Sequence, residues 1–223
     1  MDLIYGVPGL SDSEWTEEIQ RALSFKPEHV SAYALTIEEK TVFGRRHAKG
    51  QLTPAPEEDV ARQFEKLMEQ MANAGYEHYE ISNFALPGRR SQHNTSYWEQ
   101  KPYLGVGPSA HSYDGKTRQH NVANNTLYIK SITEGRVPFE RENLSRETLI
   151  NEYIMTRLRT SDGLRLSYLI SKLGFNLLDQ HRAYLQQMVK LGKVRIDGDV
   201  LRLSDQGKLL ADKISADLFV ISE

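Results

Sequence analysis

The stretch at 91–98, SQHNTSYW, gathers chemically capable side chains into a few positions. His93 offers an imidazole nitrogen that can ligate a heme iron. Asn94 both donates and accepts hydrogen bonds. Tyr97 and Trp98 are broad apolar rings with a polar tip, a shape that covers a flat apolar ligand. Trp98 is one of only two tryptophans, so its place beside a histidine stands out. Arg89 and Arg90 come just before and could pair with the carboxylates of such a ligand. These residue types permit a heme site with His93 on the iron. A surface or capping histidine is the ordinary alternative.

Three other features bear on function. Asp2 opens the apolar run DLIY, which Gly6, Pro8 and Gly9 end. In α/β folds ligands bind beyond the carboxyl ends of the strands. Asp2 precedes that end by several residues, so it reads either as a ligand contact or as a polar strand start. GVGPSA at 105–110 contains G-x-G but lacks the third glycine and a following helix. It reads as a tight turn allowing close backbone approach rather than a phosphate loop. A helix expected at 176–191 sits where a winged helix carries its recognition helix. Between 141 and 223, however, 13 Lys/Arg face 11 Asp/Glu, too even a balance for a DNA footprint. A packing or lid module is expected there, with no nucleic-acid partner.

The elements that must position these residues follow from periodicity. Residues 2–5 read as a strand. Ser11 and Glu14 have capping-box spacing, and Trp15, Ile19, Ala22 and Leu23 continue as a helix to about 24. Residues 29–36 read as a second strand, 37–55 as irregular, and 57–73 as a helix with the stripe Val60, Phe64, Leu67, Met68, Met71. Residues 77–84 read as a third strand. Strands alternating with helices predict βα units on a parallel sheet. Three strands are half a barrel or part of an open sheet, so further elements are expected on the N-terminal side. Residues 85–125 read as loops and 126–145 as a connecting helix and linker. After 145 three helices precede a hairpin turned by Asp197–Gly198, and a last helix runs over 205–219. That is winged-helix order.

The totals fit this picture. The chain has 223 residues, 39% of them hydrophobic, and a net charge of −2. A core can form, and the charge does not decide for or against nucleic acid. There is no cysteine, which excludes disulfides and thiolate-held metals or clusters within the chain. No segment reads as membrane-spanning or as a signal peptide. A cytoplasmic location is expected.

Five ordered segments now carry a resemblance. DLIYGVPG at 2–9, VSAYALTIE at 30–38, GYEHYEISNFA at 75–85, QHNTSYW at 92–98 and YLGVGPSAHSY at 103–113 together resemble the oxygen-independent coproporphyrinogen III oxidase family of radical SAM proteins. The resemblance extends into 141–223. One branch of the family is the oxidase, which decarboxylates porphyrinogen propionates. The other is the HemW-like heme chaperone branch, marked by H-N-x-x-Y-W, which His93, Asn94, Tyr97 and Trp98 match. The resemblance therefore implies a heme site at these four residues with His93 as the axial ligand. It places Asp2 at an S-adenosylmethionine contact, with Thr36 and His111 at further contact positions.

It also implies a fold: the C-terminal part of a partial (β/α) radical SAM barrel, TIM-like, over 1–125, a linker over 126–145, and a winged-helix-like α+β domain over 146–223. The [4Fe–4S] cluster and its three cysteines would belong to a longer parent, and this stretch alone is expected not to cleave S-adenosylmethionine. Heme or a porphyrinogen and heme-accepting proteins are the implied partners. Self-association through an exposed barrel edge is also expected. The oxidase remains the first alternative and a winged-helix interaction module the second.

Overall fold

The structure, a computed structural model, describes residues 1–221; residues 222–223, the end of the expected C-terminal domain, lie outside the described residues. The chain divides into two units. The first is Met1–Ser91 with Arg159–Asp162 and Asp205–Ala211; the second is Gln92–Leu158 with Gly163–Ser204 and the residues from Asp212 onward.

In the first unit, β1 (Asp2–Tyr5) leads through Gly6 to α1 (Asp12–Ser24). The capping box is formed: Ser11 N–H donates to Glu14 Oε2 at 2.8 Å, and Glu14 N–H donates to Ser11 Oγ at 3.3 Å. Then come β2 (His29–Ala34), α2 (Val42–Ala48), α3 (Glu57–Asn73), β3 (Glu77–Glu80) and β4 (Asn83–Ala85). Glu57, Glu58 and Asp59 in the first turn of α3 suit its positive dipole end. Tyr5, Trp15, Ile19, Phe64, Leu67, Met71 and Phe84 form one buried cluster between sheet and helices. Each such side chain contributes about 1.5–3 kcal/mol by leaving water. Buried Gln63 ties this layer to the Gly6 turn. Gly6 N–H donates to its Oε1 at 2.8 Å, and its own carbonyl accepts from Trp15 Nε1 at 2.9 Å.

The sheet order is β1-β2-β4-β3. The pair β1–β2 is parallel as expected, with Asp2 opposite Ser31 and Ile4 opposite Tyr33. The expected third parallel strand at 77–84 is instead a hairpin, and β4 runs antiparallel to β2. The cause is local. Ser82 N–H donates to the Glu80 carboxylate at 2.9 Å, and Ile81 N–H leaves the ladder to donate to Arg159 O at 3.0 Å. The supposedly irregular 37–55 segment holds α2, capped by Thr41, whose Oγ1 accepts from Gly44 N–H at 3.1 Å.

In the second unit, α4 (Gln92–Trp98) is followed by β5 (His111–Tyr113), β6 (Thr117–Asn121), α5 (Asn125–Thr133) and β7 (Phe139–Asn143). The expected loops and linker thus carry an antiparallel sheet, β5-β6-β7. Next are α6 (Arg146–Leu158), β8 (Leu164–Arg165), α7 (Leu166–Leu173), α8 (Leu177–Gln180), α9 (Arg182–Lys190), β9 (Val194–Asp197) and β10 (Val200–Leu203). The helix expected at 176–191 breaks at His181, which leaves the helical region at φ −119°. The hairpin β9–β10 forms as expected, and β8 pairs with β10. Ile150, Ile154, Leu158, Leu164, Leu169, Leu177 and Leu201 are its fully buried core. The last expected helix divides into α10 (Asp205–Lys208), in the first unit, and α11 (Ala211–Asp217). Among the described residues no helix is long and apolar enough to cross a membrane.

Candidate functional site

His93, Asn94, Tyr97 and Trp98 lie on α4, a short helix and not the expected loop. Helical spacing brings positions 93 and 97 onto one side. The His93 ring meets Tyr97 edge-on at 4.9 Å between centroids. Tyr97 in turn meets Tyr103 at 4.9 Å, and Tyr103 approaches Tyr113 at 6.2 Å. The result is a ladder of one imidazole and three phenols. Its far end is fixed by backbone: Tyr103 and Tyr113 exchange two hydrogen bonds of 2.9 Å, which ties the loop to β5. At its near end His93 is exposed and Tyr97 is 41% exposed.

Beside the ladder lies a cavity of about 220 Å³, lined among others by Tyr97, Trp98, Tyr113, Arg118 and Met155. Arg118 donates to Glu152 Oε1 at 2.7 Å on its wall. Burial, with Glu152 adding to it, raises the Tyr113 phenol above its usual range. The G-x-G segment at 105–107 is the close backbone approach expected. A Cβ at Gly105 would stand 2.1 Å from His111 O, and Gly105 N–H donates to Ser112 Oγ at 2.9 Å.

Asp2 is exposed at the start of β1, and Thr36 is exposed two residues past β2. Since Asp2 stands opposite Ser31, the end of β2 at Ala34 lies about 10 Å further along at the usual rise per residue, and Thr36 follows beyond it. His111 is on β5 in the second unit, where it faces His120 across the strands. Arg89 and Arg90 belong to the first unit and pair with carboxylates, Arg89 with Glu28 and Arg90 with Glu77 and Asp162.

The structure adds groups that motif reading missed. Tyr103 and Tyr113 complete the ladder. In the first unit a buried polar chain crosses the sheet face opposite the helices. Ser31 Oγ donates to Asn83 Oδ1 at 3.0 Å, and Asn83 Nδ2 to Glu80 Oε2 at 2.5 Å. Arg159 Nε donates to Glu80 Oε1 at 2.9 Å. Arg159 comes 79 residues after Glu80, so no spacing could signal the pair. No three His, Asp or Glu side chains among the described residues converge as metal ligands. With no cysteine in the chain, its residues do not fit a thiolate-held iron–sulfur cluster. An exposed imidazole against a phenol ladder does fit a flat ring system carrying iron.

Residues 144–210 match the HemN C-terminal domain. The heme chaperone HemW of Bacillus subtilis (strain 168) is 35% identical over 215 residues, covering 96% of this chain and 57% of that protein. The heme chaperone HemW of Mycobacterium tuberculosis (strain CDC 1551 / Oshkosh) is 35% identical over 216 residues, covering 96% and 53%. The solved structure of HemN from Escherichia coli, described as a coproporphyrinogen III oxidase and radical SAM enzyme, superposes over 98% of this chain and 54% of its own. The TM-score is 0.74 and the identity 19%, so that likeness speaks to fold. The chain spans about half the length of the relatives it matches. It is therefore similar to the HemW heme chaperones and to HemN, and corresponds to the C-terminal part of these longer proteins.

Proposed function

We propose that this chain is the heme-receiving part of a HemW-like protein, with His93 as iron ligand and Asn94, Tyr97 and Trp98 as its immediate surroundings. The observation that carries the reading is the ladder from His93 through Tyr97 and Tyr103 to Tyr113. It offers a ligating nitrogen at an exposed edge and a broad aromatic surface behind it. At the adjoining cavity Arg118 is paired with Glu152 and Lys101 with Glu99, so a ligand's carboxylates would have to compete with these partners for the two cations. The full-length relatives named as heme chaperones support the same cargo and imply heme-accepting proteins as partners.

In a longer parent, S-adenosylmethionine would be held with the help of Asp2, with Thr36 and His111 at further contact positions. A [4Fe–4S] cluster would be held by residues this chain does not contain. We read 1–125 as a partial barrel segment, 126–145 as a connector and 146–223 as a winged-helix-like domain. The order α6, β8, α7, α8–α9, β9, β10 supports the last reading. A cytoplasmic location belongs to the same proposal. Ile4 and Tyr33, each about half exposed on the sheet face opposite the helices, support self-association through that face. Behind the oxidase reading stand the match of residues 144–210 to the HemN C-terminal domain and the fold likeness to HemN.

The test is a heme titration followed by visible absorption, with His93→Ala beside wild type. A Soret band saturating near one heme per chain, and lost or shifted in the variant, is expected. Equal, non-saturating spectra in both proteins would overturn the assignment of His93 and leave the oxidase reading in its place.

A further inference from the structure

The sheet β5-β6-β7 carries a second arrangement of ligating side chains, of which the proposed function uses only His111, as an S-adenosylmethionine contact position in a longer parent. His111 on β5 stands opposite His120 on β6, and His120 stands opposite Glu140 on β7. All three therefore project from one face of the sheet. The kind of pairing matters. Asn121 N–H donates to Ala110 O at 2.9 Å, and Asp114 N–H donates to Thr117 O at 3.2 Å. Hydrogen-bonded and non-hydrogen-bonded pairs alternate along an antiparallel ladder, so His111–His120 is a non-hydrogen-bonded pair, where opposing side chains stand closest. Their ring centroids are 5.6 Å apart and the planes are inclined by 31°. Two imidazoles sharing one ion at 2.0–2.1 Å have centroids roughly 5–5.5 Å apart, so the spacing of the two rings suits a shared ion.

We propose that His111 and His120 form a two-histidine clamp for a divalent transition-metal ion of the zinc or nickel type. Both rings are exposed at the strand surface, and neutral imidazole is the favoured ligand of such ions. Two ligands do not make a closed structural site. Solvent or a bound molecule completes the sphere, and the ion exchanges. Glu140 Oε2 lies 3.6 Å from His120 Nε2, so the carboxylate acts on the clamp by orienting the His120 ring. The clamp does not suit heme iron. Its two nitrogens approach from the same side, whereas two axial ligands must lie on opposite faces of the macrocycle. Tyr113 and Arg118 lie on the same sheet face two residues along, about 7 Å at the usual rise. An ion here would therefore add positive charge near the cavity beside the ladder.

The experiment is calorimetric titration of the whole chain with Zn²⁺ alone, in the absence of heme. The proteins are wild type, His111→Gln, His120→Gln, Glu140→Gln and, as controls, His93→Ala and His47→Gln. One zinc per chain is expected in wild type and in both controls, abolished by either clamp substitution and weakened about tenfold by Glu140→Gln. Zinc should also raise the melting temperature of wild type and leave that of His120→Gln unmoved, because only the clamp joins β5 to β6 through the ion. Unchanged stoichiometry and affinity in His120→Gln would overturn the proposal, as would loss of binding in His93→Ala or His47→Gln. Failure here leaves the heme assignment untouched, since that assignment is decided by the response of His93→Ala to heme and this one by the response of His111→Gln and His120→Gln to zinc.

Discussion

Replacing Arg159 by Met should destabilise the first unit far more than replacing its partner Glu80 by Gln. The Glu80 side chain has no exposure, and the Arg159 side chain is 21% exposed. Glu80 accepts from three donors: Arg159 Nε, Ser82 N–H and Asn83 Nδ2. Arg159→Met leaves a buried carboxylate with two neutral donors and no countercharge, a loss of about 3–5 kcal/mol. Glu80→Gln keeps the shape and an acceptor oxygen, and the partly exposed guanidinium can turn to water, so about 1–2 kcal/mol is expected. Urea unfolding in a Trp98→Phe background isolates the effect, because Trp15, buried in the first unit, is then the remaining tryptophan. The two variants are compared by midpoint at constant m-value. A cost below about 1 kcal/mol for Arg159→Met, or a larger cost for Glu80→Gln, would refute the reasoning.

Two further predictions concern single positions. His78 is stacked on Phe84 at 4.1 Å, and burial, then the nearby Lys208 charge, bring it down to about 4 from 6.5. The unfolded chain protonates it near 6.5 and the folded unit only near 4. The contribution is therefore present above pH 6.5 and lost as pH falls to about 4, up to about 3 kcal/mol in all. His78→Asn should flatten the pH dependence of the urea midpoint in that window; identical profiles would count against it. Gly163 has φ +76°, and a Cβ there would stand 2.6 Å from Arg202 Cγ and 2.7 Å from Leu201 O. Gly163→Ala should cost the second unit about 2 kcal/mol or more, read as a lowered melting temperature; an unchanged one would contradict the geometry.

What the sequence disclosed and what it hid divide along a physical line. The helices α1 and α3, the pair β1–β2 and the hairpin β9–β10 were readable because each is specified by neighbours in sequence. Ser11 and Glu14 form one capping box, the α3 stripe keeps one period, and Asp197–Gly198 turns one hairpin. The β3–β4 hairpin was not readable, because its turn at Ile81–Ser82 has no glycine or proline. The Glu80 carboxylate and the distant Arg159 carbonyl make it. The strands β5, β6 and β7 read HSY, TRQHN and FEREN, short and polar on both faces, so no alternation marks them. The candidate site shows the same division. The residue types of His93, Asn94, Tyr97 and Trp98 are visible in one short motif, but the ladder needs Tyr103 and Tyr113, which reach α4 only through pairing at β5. The facing of His111 and His120 likewise depends on register, since a slip of one residue would send one ring to the other face. Chemistry encoded by neighbours is legible from sequence, and chemistry encoded by register becomes legible only once the strands are paired.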